Sequence, residues 1–139
     1  MADKNLSLFK GLDEKITPLA ERCRPAVIDQ YIGQEHLTAK GKIIRSAIEG
    51  GKVFSMILWG DPGTGKTTLA KIIAESCDME YHYLSAVSSG VADVRKVIIS
   101  GEKNRQMGKQ TLLFLDEIHR FNKAQQDAVL GAVESGDIV

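Results

Sequence analysis

"MILWGDPGTGKTTLAKIIAE", Met56–Glu75, crowds three glycines, a proline and a lysine into the eight residues Gly60, Asp61, Pro62, Gly63, Thr64, Gly65, Lys66 and Thr67. A loop that only reversed the chain would need one glycine or one proline. This one satisfies G-x-x-x-x-G-K-[ST] at every fixed position. Glycines let the backbone wrap a polyphosphate with its N–H groups turned inward, where side chains would block the approach. The helix opened by the loop adds unpaired N–H groups and a positive dipole end. Lys66 supplies a full charge for the β- and γ-phosphates, and the Thr67 hydroxyl can ligate Mg²⁺. The loop is expected to hold a nucleoside triphosphate, with Thr68 completing the contact set.

The flanks have the required form. "VFSMILW" (Val53–Trp59) is a nearly continuous apolar run, expected as a strand covered on both faces. After the loop, Leu69, Ile72, Ile73 and Cys77 recur at helical spacing and give one buried stripe. Further along, "YHYLSA" (Tyr81–Ala86) reads as a second strand. Val91, Val94, Val97 and Ile98 open a helix running to about Met107. "TLLFLDE" (Thr111–Glu117) is a third strand, and "KAQQDAVLGAVESG" a closing helix stopped by Gly136. Before all of these, "GKIIRSAIEGG" places Ile43, Ile44, Ala47 and Ile48 on one helical face, while Pro18–Gln34 is expected to be extended and irregular. Residues 1–17 read as a mobile N-terminal arm and residues 18–139 as one unit. Strand–helix pairs repeated three times argue for an α/β fold of βαβ units with a parallel sheet.

Two acids, Asp116 and Glu117, close the third strand about 50 residues after Lys66. In open α/β sheets, ligands sit beyond the carboxyl ends of the strands, where the glycine loop also lies. Asp116 is then the candidate Mg²⁺ holder, and Glu117 the group that polarises the water attacking the γ-phosphate. With Lys66, Glu117 makes up the catalytic pair. The residues alone give a nucleoside triphosphate with Mg²⁺ as the expected ligand set. The available residues contain no guanine-reading N-K-x-D, which tilts towards adenine.

Composition bounds the rest. The 139 residues are 43% apolar and 26% charged, with 18 basic side chains balancing 18 acidic ones. Attraction to nucleic acid must therefore come from local clusters. Lys96, Lys103, Arg105 and Lys109 could form such a stripe, or simply a solvated helix face. Cys23 and Cys77 have no metal-like spacing and read as reduced thiols. The start lacks the apolar core, roughly 7–15 residues long, of a signal peptide, and no run approaches the ~20 residues that cross a bilayer. A cytoplasmic chain without membrane contact is expected.

Taken together, the phosphate loop and the acid pair resemble the AAA+ ATPases. "LAERCRP", "YIGQEHL", "SMILWGDPGTGKTTLA", "SAVSSGVADVRKVI" and "LFLDEIHRFNKAQQDAVLGAVESG" narrow the resemblance to the family of replication-associated recombination protein A and the Werner-helicase-interacting ATPase. It runs from about Pro18 to Val139, with Asp61 standing where the family more often reads proline. The resemblance implies a three-layer P-loop NTPase fold and a DNA-dependent ATPase of replication-fork maintenance, recombination and repair. It also implies a nucleoid-associated homo-oligomer acting on forks or single-strand/duplex junctions, with contacts to single-strand-binding protein or the replisome. Tyr31 and Ile32 become candidates for the adenine contact, or else anchors of the irregular segment. Ser85 stands where relatives restrain the catalytic Glu, and His119 and Arg120 line the loop after the acids.

Related ATPases continue with a fourth strand lying between the first and third, then a lid and oligomerising helices. The resemblance therefore casts this chain as truncated after the third strand–helix unit, with a slot in its sheet. It is expected to bind ATP weakly and to turn over little alone, since an arginine supplied in trans is worth roughly 10³–10⁵ in rate. A clamp-loader subunit, a Holliday-junction branch-migration helicase and a non-catalytic nucleotide-binding fragment stand as alternatives.

Overall fold

A computed structural model describes residues 17–139, so the expected arm, Thr17 apart, lies outside the described residues. Pro18 caps a short helix, α1 (Leu19–Arg22), as its fixed φ favours. A 3₁₀ turn at Ile28–Gln30 and the short helix α2 (Glu35–Thr38) follow. The segment expected to be extended and irregular, Pro18–Gln34, thus contains two helical turns. Next come α3 (Ile43–Glu49), α4 (Lys66–Ser76), β1 (Glu80–Ser85), α5 (Val91–Gln106), β2 (Thr111–Asp116), a 3₁₀ turn (Ile118–Arg120) and α6 (Lys123–Ser135). Helix α6 starts at a reciprocal cap: Asn122 accepts from the Gln125 N–H, and the Gln125 side chain accepts from the Asn122 N–H.

Strands β1 and β2 are parallel, with Tyr81 opposite Leu112, Tyr83 opposite Phe114 and Ser85 opposite Asp116. Alternation sorts their side chains into two layers. Leu112, Tyr81 and Phe114 pack with Ile44, Leu69 and Ile73 of α3 and α4. Leu84 and Leu115 pack on the other side with Val94 of α5 and with Ala128 and Val129 of α6. Helices cover both faces of a parallel pair, which is the three-layer arrangement. Because Asp116 shares the face of Leu112 and Phe114, it lies on the α4 side, with the phosphate loop.

The expected first strand is corrected: Val53–Trp59 carries no regular secondary structure, and the sheet among the described residues has two strands. Met56 and Leu58 pack on the α3–α4 core, whereas Ile57 and Trp59 are 87% and 96% exposed. The alternation of a strand persists, but among the described residues one face is uncovered and no neighbour completes the ladder. Strand structure is a relation between two chains, and apolar content alone does not supply the partner. A cleft of about 1040 Å³ lies between residues 53–60 and β2. On its β2 side, the Val139 N–H donates to Thr111 O and the Leu113 N–H donates to Val139 O, the two-bond pattern of a parallel ladder. Among the described residues, no helix is long and apolar enough to cross a membrane.

Candidate nucleotide site

Gly60 to Gly65 form the loop between the unpaired segment and α4, with Gly63 at φ +81° and Gly65 at φ +90°. Lys66 reaches back over it, its Nζ donating to the Gly60 and Asp61 carbonyls, both at 2.8 Å. The ammonium group is thereby held at the mouth of the loop. Thr64 Oγ1 donates to the Asp61 carbonyl at 2.9 Å, closing the turn around exposed Pro62. Thr67 and Thr68 occupy the first turn of α4, where N–H groups lack intrahelical partners.

Gly60, Lys66, Asp116, Glu117 and His119 line one cleft, so the lysine and the acids about 50 residues further along the sequence border a common space. Asp116 accepts a hydrogen bond from the Tyr83 hydroxyl at 3.1 Å, and the Tyr83 ring stacks on Phe114 at a centroid distance of 5.9 Å. Partial desolvation, then the bond to Asp116, push the Tyr83 phenol above its ordinary pKa. Glu117 takes a left-handed conformation, φ +57°, unusual for a residue with a side chain. It lies within 3.1 Å of His119 Nε2 and caps the Ile118–Arg120 turn.

Other candidates fall differently. The Tyr31 hydroxyl donates to the Thr64 carbonyl at 3.0 Å, and burial raises its pKa. Ile32 is 96% exposed. Ser85 lies opposite Asp116, but its Oγ accepts from the Val87 N–H, and it is Tyr83, two residues earlier on the same face, that touches the acid. Arg120 is exposed. Of the basic stripe, Lys96 pairs with Asp93, and Arg105 pairs with Asp137 and donates to the Ser135 carbonyl. Those two charges tie α5 to itself and to the end of α6. Sequence reading missed Tyr83 and the 2.8 Å bond from Arg24 Nη1 to Thr68 Oγ1. The i, i+2 relation of Tyr83 to Ser85 was visible, but the register that brings it to Asp116 was not.

A glycine loop opening a helix, a lysine at its mouth and an acid-tipped parallel strand beside it define a P-loop nucleoside triphosphatase fold of the AAA+ type. The chain belongs to the family described as "Holliday junction DNA helicase RuvB P-loop domain", whose model matches residues 23–139. It is 53% identical over 134 residues to replication-associated recombination protein A of Escherichia coli K12, covering 96% of this chain and 30% of that protein. It is 45% identical over 126 residues to ATPase WRNIP1 of Dictyostelium discoideum, covering 91% of this chain and 14% of the relative. Among solved structures, the RuvB Holliday junction branch migration motor of Thermotoga maritima superposes with a TM-score of 0.64 at 35% identity, covering 81% of this chain and 37% of that one. The chain thus spans about 30% of the length of the first curated relative it matches.

Proposed function

We propose that this chain is the ATP-binding and ATP-hydrolysing part of a DNA-dependent AAA+ ATPase acting in replication-fork maintenance and recombination. The observation that carries the reading is the meeting of Lys66, Asp116 and Glu117 on one cleft beside the glycine loop. In that reading Gly60 to Thr68 cradle the triphosphate through main-chain N–H groups, and Lys66 leaves its loop carbonyls for the β- and γ-phosphate oxygens. The Thr67 hydroxyl and the Asp116 carboxylate are hard oxygen donors of the kind Mg²⁺ accepts alongside water and phosphate. A magnesium ion held by them would neutralise charge developing on the phosphates. Glu117 orients a water and takes its proton, and Tyr83 fixes the carboxylate of Asp116. Ile32, exposed beside the loop, is a candidate for the adenine face.

The names of the relatives at 53% and 45% identity support replication-coupled recombination as the setting, with DNA as partner, oligomeric assembly and a cytoplasmic, nucleoid-associated location. A second reading, a branch-migration motor, is favoured by the family model and by the superposed RuvB structure. DNA-stimulated ATP hydrolysis without branch migration separates the first from the second. By itself the 139-residue polypeptide should turn over slowly, because the cleft beside the acids is open and Glu117 is half exposed. Glu117→Gln tests catalysis directly. In single-turnover experiments it should keep ATP bound and uncleaved while the unaltered chain slowly releases phosphate. Equal phosphate release from both would remove Glu117 from the catalytic pair, and none from either would mean a passive nucleotide-binding module.

A further inference from the structure

The N-terminal segment holds the phosphate loop and the first turn of α4 at one point each. Tyr31 gives its phenolic proton to the Thr64 carbonyl at 3.0 Å, and Arg24 Nη1 donates to Thr68 Oγ1 at 2.8 Å. We infer, building on the nucleotide reading above, that Arg24 and Tyr31 are positioning residues that pre-set residues 64–68 for a phosphate chain.

The geometry gives each bond a direction. In a planar trans peptide, the C=O and the following N–H point opposite ways. With the Thr64 carbonyl held on Tyr31, the Gly65 N–H is aimed the opposite way, for a phosphate oxygen to accept from. The ring also stands against Gly65, since a Cβ there would lie 2.6 Å from Tyr31 Oη, so the peptide plane has little room to flip. Arg24 acts on the other end. A guanidinium group only donates, so the Thr68 hydroxyl must accept from it, which leaves the hydroxyl's own proton for an acceptor such as phosphate. Arg24 is itself aligned by Glu21, through Nε at 2.9 Å and Nη2 at 2.7 Å, and Glu21 also lies 3.6 Å from Lys71 on α4. The segment from Glu21 to Tyr31 therefore spans the loop and the first turns of α4 as a brace. A tyrosine that reads the adenine ring and a tyrosine that braces the loop make different demands on the ligand.

The test is calorimetric titration of the 139-residue chain with Mg·ATP and, separately, with Mg·tripolyphosphate, which has no base. Tyr31→Phe keeps the ring and loses the hydroxyl. It should weaken both ligands about five-fold, the worth of one net hydrogen bond. Arg24→Met should weaken both by a similar factor, and Arg24→Lys, which restores a donor, should recover most of the loss. Melting curves fix a temperature at which each variant is folded, and the Arg24 pair carries the test should Tyr31→Phe not fold. Weakening of ATP alone would make Tyr31 an adenine contact and overturn the inference, as would unchanged affinity for both ligands. Lys66→Ala serves as the control. If it still bound tripolyphosphate normally, the site reading itself would fall, and the brace with it.

Discussion

Gly65 shows how tightly single residues are specified in this loop. It sits at φ +90°, and the Tyr31 hydroxyl stands 2.6 Å from where a Cβ would be. A side chain in the left-handed region costs about 1–2 kcal/mol before any clash is counted. Gly65→Ala is therefore expected to lower the melting temperature and to abolish most Mg·ATP binding; a variant that melts and binds like the unaltered chain would contradict the geometry. At this scale the sequence was informative where a residue's role is local. The glycines, Lys66 and the acids announce themselves by type and spacing. The partners of Asp116 and Thr68, which are Tyr83 and Arg24, depend on strand register and on a segment 44 residues distant. Neither is written in local spacing.

Among the elements, β1 is fixed to α5 by the carboxylate of Glu80. It accepts from Asn104 at 2.8 Å and from Ser100 at 2.9 Å, and lies 2.7 Å from His82 Nε2. These bonds, led by Asn104, hold the Glu80 carboxyl below its ordinary pKa. A carboxyl depressed in the folded state stabilises the fold above its unfolded pKa, and that contribution fades as pH falls through the folded value. Acid titrations of stability should accordingly show a steeper loss below about pH 4.3 than those of Glu80→Gln; identical acid limbs would contradict a folded-state role. Helix α5 also approaches the chain end closely, since a Cβ on Gly101 would meet Asp137 O at 2.5 Å. Gly101→Ala should therefore displace residues 137–139 from the edge of β2, seen as faster exchange of the Leu113 and Val139 amide protons. Unchanged protection would mean that the contact yields freely. Helices α4, α5 and α6 were legible from their apolar periodicity, caps and stops. The Val53–Trp59 run reads as a strand because apolar content signals burial, yet that content says nothing of whether an edge is available to pair with.

For the molecule as a whole, the open cleft decides behaviour. Ile57 and Trp59 stand exposed along it, and unpaired strand edges invite association. The isolated polypeptide is expected to self-associate as concentration rises, with Trp59 emission shifting to the blue; Ile57→Lys should suppress both. Light scattering that reports a monomer at every concentration would contradict this. The layered α/β plan was legible because strand–helix alternation constrains topology strongly, whereas the position of the slot came only from the family resemblance. The uncovered face of residues 53–59 was not, since it depends on what else packs there. The central claim is that main-chain amides and Lys66 grip a triphosphate beside Asp116. Titration of Mg·ATP into the unaltered chain and Lys66→Ala tests it most directly. The account predicts measurable binding by the first and none by the second, and equal affinity in the two would contradict it.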